Sequence, residues 1–532
     1  MQKLTPISRS LIVLIGLGTL LAAFNTYVLK RPPAAEPSSE RPLGVVQTQT
    51  LAALPLTPSA RWAALDRRAI RVALATWPGH MPLVLGNGGL TTQPGSAAAA
   101  QGLNLEISLI DDPGAKNQGL QSGELDFIWH TVDELPISLG GYQKAGIRLR
   151  VLLQLDWSRG GDACVAASEV QSAEEILGRH SAMMLFSPDH TLFEFMLANS
   201  KLTPHQIAQV RGDTKFSPDD VTFGRRLFTE RKVDVACIWE PDVSLALAGR
   251  PGAHRLFSTS QASDLIADIL VANEQLLDAR PDIAQKLVRV WFAGIEQGEA
   301  NPPAAARAIM AASQRFREEL GYDRTLQSLE WVSWSSLADN VRFFGIAGGA
   351  AAFDRAYNQA DSVWINYPEA AITTRFVPGL LRDDRTIRQI WEASGRPVAE
   401  RSEDYDPRIA SQGSAIFTKP IAVTFASNSS ALDSTALSII NQEILPQAEI
   451  AHQMYLRIEG NTDNVGDELM NQGLSERRAR AILEHLVSKG VARRRLSARG
   501  NGMHNPAASN RTPEGRARNR RTEVLFIGKR PA

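Results

Sequence analysis

Residues 11–29, LIVLIGLGTLLAAFNTYVL, form an almost unbroken apolar run, with Lys3 and Arg9 before it and Lys30 and Arg31 after it. A run of that length is about enough to span a bilayer as a helix, so residues 1–30 are expected to be a transmembrane anchor. Its first part also fits a signal peptide cut after Ala23, and either reading exports the rest of the chain. The run holds no carboxylate, which argues against a proton-conducting helix. Residues 31–62 lose this pattern, and the RPPAAEPSSERPLG stretch has the composition of a semi-extended tether.

From residue 63 to 393 short apolar runs alternate with stretches of helical period. IRVALATWPG, LNLEISLIDD, ELDFIWHTVDELP and RLRVLLQLDWSRGGD each read as a strand ending in polar or turn residues. The rhythm returns in HSAMMLFSPDH and KVDVACIWEPD, and becomes mainly helical after ARPDIAQKLVRVWFAG. Such alternation predicts βαβ units around a mostly parallel sheet, an α/β fold. GNGG at 86–89 reads as a glycine turn. Residues 394–414 are poor in apolar side chains and are expected to be a second linker. Residues 415–530 then predict strand, helix, strand, helix and a last strand, RRTEVLFIG, forming a smaller α+β domain.

A chain of 532 residues is too long for one core, which agrees with this division. Its formal net charge is zero, giving no support to a general nucleic-acid or anionic-membrane role. The C-terminal segment is rich in Arg, yet it carries few aromatic side chains for base stacking, and export would separate it from DNA. Two cysteines, Cys164 and Cys237, exclude a disulfide scaffold. One bridge remains open, while two buried thiols acting as small hydrophobes is the simpler expectation. No GxSxG, HExxH or P-loop pattern occurs, and the nine histidines lack ligand spacing, so binding is expected rather than catalysis, with no metal or cofactor.

Polar and aromatic residues gather at the predicted strand ends: Trp77, Asp111, Thr131, Asp133, Asp156, Trp157, Asp162, Trp239 and Glu240. Ligands of open α/β sheets bind there, and aromatic walls with a few polar groups suit a small molecule. TWPGHMP, SGELDFIWHTVDELP, LQLDWSRGGDACVAASEVQSAEEILGR, SPDHTLFEFML and VDVACIWEPD together resemble periplasmic solute-binding proteins of nitrate/taurine/sulfonate-type ABC importers, from about residue 67 to 390. The resemblance implies two α/β lobes with solute in the cleft between them, and an ABC permease or another inner-membrane protein as partner. By position it implies that Trp77, Thr131, Asp133, Asp156, Trp157, Ser187, His190, Trp239 and Glu240 lie at or near that cleft. His190 reads equally well as a cap of the helix that follows it.

The stretch NTDNVGDELMNQGLSERRARA sets Asp463 against a cluster of arginines. With Ser475 as the expected helix start, Arg477, Arg478 and Arg480 would crowd a first turn, where the macrodipole disfavours cations. IEGNTDNVG (458–466), NQGLSERRA (471–479), GNG (500–502) and NRTPEGRARNRRTEV (510–524) resemble the OmpA-like peptidoglycan-binding domain. Asn461 departs from the more usual His, and GNGM varies a glycine–aromatic–glycine theme. The resemblance implies recognition of diaminopimelate in the peptide stem, whose free end carries an ammonium and a carboxylate on one carbon. Asp463 matches the ammonium position and Arg478 the carboxylate position, with Asn464, Asn471, Asn519 and Arg520 in support. Arg477 and Arg480 are expected to be solvated or paired with Glu476 and Glu484, and Ala479, Ile482, Leu483 and Leu486 to be core. The whole reads as a periplasmic protein, anchored in the inner membrane, that binds peptidoglycan and a small solute for uptake or sensing. A wall-anchored scaffold for a protein partner and a wall-targeted enzyme are the rivals.

Overall fold

The computed structural model describes residues 62–528 apart from 63, 373, 396–404, 414, 422, 424 and 426–428. The apolar run at 11–29 lies outside them, and so does the expected anchor. Among the described residues no helix is long and apolar enough to cross a membrane.

Among the described residues fifteen strands follow in chain order. They are β1 (Ile70–Leu74), β2 (Leu105–Leu109), β3 (Phe127–Thr131), β4 (Leu149–Ser158), β5 (Asp162–Ala166), β6 (Ser181–Met184), β7 (Thr214–Ser217) and β8 (Val235–Trp239). After them come β9 (His254–Ser258), β10 (Ala267–Asn273), β11 (Val332–Trp334), β12 (Ala415–Ile421), β13 (Tyr455–Gly460), β14 (Leu496–Gly500) and β15 (Thr522–Ile527). They form a first lobe ordered β11-β4-β10-β3-β1-β2, a second ordered β7-β6-β8-β5-β9, and a C-terminal sheet ordered β12-β15-β13-β14.

The expected mostly parallel sheet is in fact mixed in both lobes. β1 runs parallel to β2 and β3, and β6 parallel to β7 and β8. β10 and β5, the strands by which the chain enters each lobe from the other, run antiparallel to their neighbours. The reason is geometric. A chain leaving one lobe at the carboxyl ends of its strands meets the same kind of edge on the other, so it must enter running backwards. The two crossovers, 159–161 and 259–266, therefore place the carboxyl strand ends of both lobes face to face.

Cys164 and Cys237 are directly opposed on β5 and β8 and form a disulfide, which overturns the expectation of two thiols. The bond closes a loop of 73 residues, worth about 4 kcal/mol by loop-closure entropy. Unfolding with and without reductant, or of Cys164→Ser, is expected to show a loss of about 2–5 kcal/mol. A bridge of this kind also fits an oxidising compartment.

In the C-terminal sheet a helix, α1 (Glu468–Ser488), packs across β13 and β14. Ala479, Ile482, Leu483 and Leu486 are buried there, as their spacing predicts. Gly460 allows the close approach, because a Cβ there would stand 2.3 Å from the Ser475 carbonyl oxygen. The same domain touches the second crossover. The Asp264 N–H donates to the Ile450 carbonyl (2.9 Å), and Ser263 Oγ and His452 Nδ1 lie 3.0 Å apart.

Candidate functional site

The facing strand ends enclose a cavity of about 30 Å³, lined by Trp77, Trp129, Trp239, Thr131, Asp111, Glu134, Asp162 and Asp268 with a few apolar side chains. Trp77 comes from the loop after β1, Trp129 and Thr131 from alternate positions of β3, Asp268 from β10, and Asp162 and Trp239 from β5 and β8 in the second lobe. Trp77 is fixed by donating from Nε1 to Asp156 Oδ2 (2.9 Å). Gly79 must be glycine, since a Cβ there would lie 1.3 Å from that same oxygen.

Behind this wall lies a buried charge network. Lys116 Nζ donates to Glu134 Oε2 (2.8 Å), and His130 Nδ1 meets the same oxygen at 2.9 Å. Burial works against the Glu134 charge, but Lys116 and His130 outweigh it and hold the carboxyl at about 2. Burial pushes His130 down to about 4, with Lys116 adding to the effect. His80 accepts at Nδ1 from the Ala75 N–H (2.9 Å), so its proton sits on Nε2, which faces Asp268 Oδ1 at 3.1 Å. His80, Asp156 and Asp268 place one ligand atom each within 4.8 Å of the others. A metal there would need the Nε2 lone pair that this tautomer does not offer, so the trio suits a shared proton. Burial raises Asp156 and Asp268 far above the usual carboxylate range, with Asp268 adding to the shift of Asp156, and with Asp162, Asp133 and Glu134 adding to that of Asp268 against its hydrogen bond with Asp156.

The sequence-predicted residues divide. Trp77, Thr131 and Trp239 line the cavity. Asp133 and Asp156 stand behind it, Asp133 accepting from Thr191 Oγ1 (2.7 Å). Trp157 faces elsewhere, stacking its edge on Phe343 and lining a separate cavity with Arg355 and Glu449. Ser187 caps a helix, α2 (Pro188–Ala198), by accepting from the His190 N–H. His190 is no cap. Its ring accepts from the Phe186 N–H (3.1 Å), meets the Tyr367 hydroxyl (3.2 Å) and is driven by burial to about 3. Glu240 is turned from the cavity, taking Arg255 (2.6 Å) and Ser244. Trp129, Glu134 and Asp268 were missed. The i, i+2 spacing of Trp129 and Thr131 was the readable signal, because alternate strand residues share a face.

Stability should depend on pH with a definite sign. Burial raises Asp133 to about 6 and both Asp162 and Glu240 to about 7, so the folded state holds these protons more tightly than the unfolded one. Their stabilisation is present below the ordinary carboxylate range and lost as pH rises through the folded values. The lowered histidines act oppositely, but only between their folded values and about 6.5. Denaturant unfolding is therefore expected to show stability falling as pH rises from 7 to 8, above most of the histidine titration.

In the C-terminal domain α1 begins at Glu468, not Ser475. Asp467 is the cap, its side chain accepting from the Met470 N–H (3.1 Å), while Ser475 Oγ donates back to the Gln472 carbonyl. The arginines thus stand in mid-helix and no helix N-terminus assists them. Asp463 and Arg478 do come together, though not as a pair. Asp463 Oδ2 accepts from Arg520 Nη1 (2.6 Å), and its Oδ1 from the Val465 N–H. Arg478 donates from Nε to the Ser429 carbonyl (3.0 Å) and lies over the Phe425 ring. Burial, Arg520 and Arg477 lower its pKa against the pull of Asp463, which places these charges within electrostatic reach of one another.

Asn471 donates to the Val465 carbonyl and shapes the loop, whereas Asn464 is exposed. Asn519 is buried with its amide fully used, accepting from the N–H groups of Ala507 and Ala508 and donating to Ala508 and Asn510. It staples a loop and has no bond left for a ligand. Glu484 takes Arg493 and Glu476 accepts from Gln472, while Arg477 and Arg480 are exposed, the solvated one of the two expected alternatives. Thr462, whose buried Oγ1 has no hydrogen-bond partner, was missed.

The chain is a two-lobed α/β body with a cleft at its strand ends, followed by an α+β domain that brings Asp463, Arg478 and Arg520 within electrostatic reach of one another. Residues 424–520 match the OmpA family. The chain is 37% identical over 136 residues to outer membrane protein A of Bordetella avium, covering 26% of this chain and 68% of that one. It is 38% identical over 111 residues to the peptidoglycan-binding protein ArfA of Mycobacterium bovis, covering 21% of this chain and 33% of that one. Through its C-terminal domain the chain belongs to the OmpA family. The chain is also similar to the periplasmic aliphatic sulphonate binding protein SsuA of Escherichia coli, at 13% identity and a TM-score of 0.45, covering 60% of this chain and 99% of that one.

Proposed function

We propose that the protein works in the cell envelope, gripping peptidoglycan with residues 415–530 and closing residues 63–393 on a small solute, for uptake through a permease or for sensing. One observation carries the wall-binding half: Asp463, hydrogen-bonded to Arg520, and Arg478 lie within electrostatic reach of one another. A carboxylate beside two guanidinium groups is complementary to the diaminopimelate head, with the ammonium on Asp463 and the carboxylate on Arg478. Arg520 holds Asp463 in the structure and would turn towards the ligand carboxylate when an ammonium arrives. The membership in the OmpA family supports this reading. For the other half, the cavity walled by residues of both lobes supports capture by hinge closure.

Co-sedimentation with purified sacculi tests the wall half. The protein is expected to pellet with sacculi whose stems carry diaminopimelate and to stay in solution with lysine-type sacculi. Equal pelleting with both would remove diaminopimelate as the determinant.

A further inference from the structure

Resting on the solute-binding reading, we infer that the cleft takes a small organic cation, its ammonium head set among tryptophan faces and carboxylates, rather than a sulfonate or another anion. Every charged residue lining the cavity is an acid, and Trp77, Trp129 and Trp239 supply the apolar wall. An anion would need N–H or guanidinium donors there. The indole N–H groups of Trp77 and Trp129 are already given to Asp156 and to the Ile110 carbonyl. The nearby basic side chains are committed as well: Lys116 to Glu134, Arg225 and Arg315 to Asp242, and Arg255 to Glu240. Asp111, Asp133, Asp162 and Asp189 form no ion pair among the described residues.

The unsatisfied atoms point the same way. Both carboxylate oxygens of Asp189 and Oδ1 of Asp133 are buried without a partner in strict hydrogen-bonding geometry, with the Thr131 hydroxyl on the cavity wall within reach of Asp133. Asp189 is 1% exposed and lies within electrostatic reach of Asp133 and Asp162. Buried acceptors without donors are costly, and a bound ammonium would provide the missing N–H groups or, if fully alkylated, the missing charge. The start of α2 could have offered an anion site, but its first residue is Pro188, which has no N–H, followed by Asp189. The chain also shows that its own indole accepts such a group: Lys116 Nζ lies 3.6 Å from the centre of the Trp129 ring. A cavity of about 30 Å³ has room for one or two water-sized groups, so any head group with carbon substituents would require the lobes to part.

The test is calorimetric titration of the full chain carrying Asp463→Ala, which removes competition from the wall recess. Tetramethylammonium, n-butylammonium and n-butanesulfonate are the probes. One ammonium ion is expected to bind at least tenfold more tightly than the sulfonate. Which one it is separates an alkylated head from a primary amine. Asp162→Asn and Trp239→Leu, both checked for an intact thermal transition, are each expected to weaken that binding tenfold or more. Tighter binding of butanesulfonate would overturn the inference and leave a solute-binding cleft standing. Binding of none of the three would overturn both.

Discussion

Replacing Arg478 with alanine is expected to release the protein from sacculi, with affinity falling a hundredfold or more. The guanidinium is held by the Ser429 carbonyl and the Phe425 ring and is largely buried, so it is set before any ligand arrives. Its neighbours Arg520 and Arg477 repel it, and the carboxylate in reach, Asp463, is occupied by Arg520. An anion placed between the guanidinium groups would offset that repulsion. Truncating one partner of a buried, hydrogen-bonded charge pair costs about 2–5 kcal/mol in binding, which is the hundredfold loss. Arg478→Lys keeps the charge but loses the fork, and should recover only part of the affinity. Asp463→Ala is expected to match Arg478→Ala, because the ammonium would then be left without its counter-charge. The sedimentation isotherm reads the effect, and an unchanged thermal transition shows the domain still folded. Retention equal to the unaltered protein would refute the assignment.

The second large effect concerns the large domain. Lys116→Met is expected to destabilise it by about 3–5 kcal/mol, because Glu134 would be left charged and buried with only a neutral histidine beside it. Adding Glu134→Gln should restore much of the loss, since removing both partners costs less than removing one. A double-mutant cycle in denaturant measures the coupling between them. If the double variant were as unstable as the single one, packing of the lysine stem over Trp129 would account for the loss instead.

The approach of Asp463 to Arg478 was legible in the sequence because the two are close in the chain. Asp463 and Arg478 are 15 positions apart, and α1 and β13 bring them together locally. The start of α1 was not legible, because Ser475 and Asp467 both have capping chemistry and only the path of the chain out of β13 selects Asp467. In the cleft, Trp77, Thr131 and Trp239 were found because strand ends attract ligands. Asp268 was hidden because β10 arrives from the other lobe, far along the chain, to lie beside β3 and β4. The disulfide was hidden for a similar reason: Cys164 and Cys237 become neighbours only once β5 and β8 pair. Ser187, His190 and Glu240 are held by capping, ring packing and ion pairing, which use the same residue types as solute contacts.

Titration of the purified protein with meso-diaminopimelate acylated at its L-configured amine, alongside lysine and 2-aminopimelate acylated at the α-amine in the same way, asks the question most directly. Lysine keeps the distal ammonium without its carboxylate, and 2-aminopimelate can keep the distal carboxylate without its ammonium. Binding of meso-diaminopimelate is expected at one site per chain, with both analogues at least a hundredfold weaker. Equal affinity for all three would contradict recognition of the zwitterion by Asp463 and Arg478.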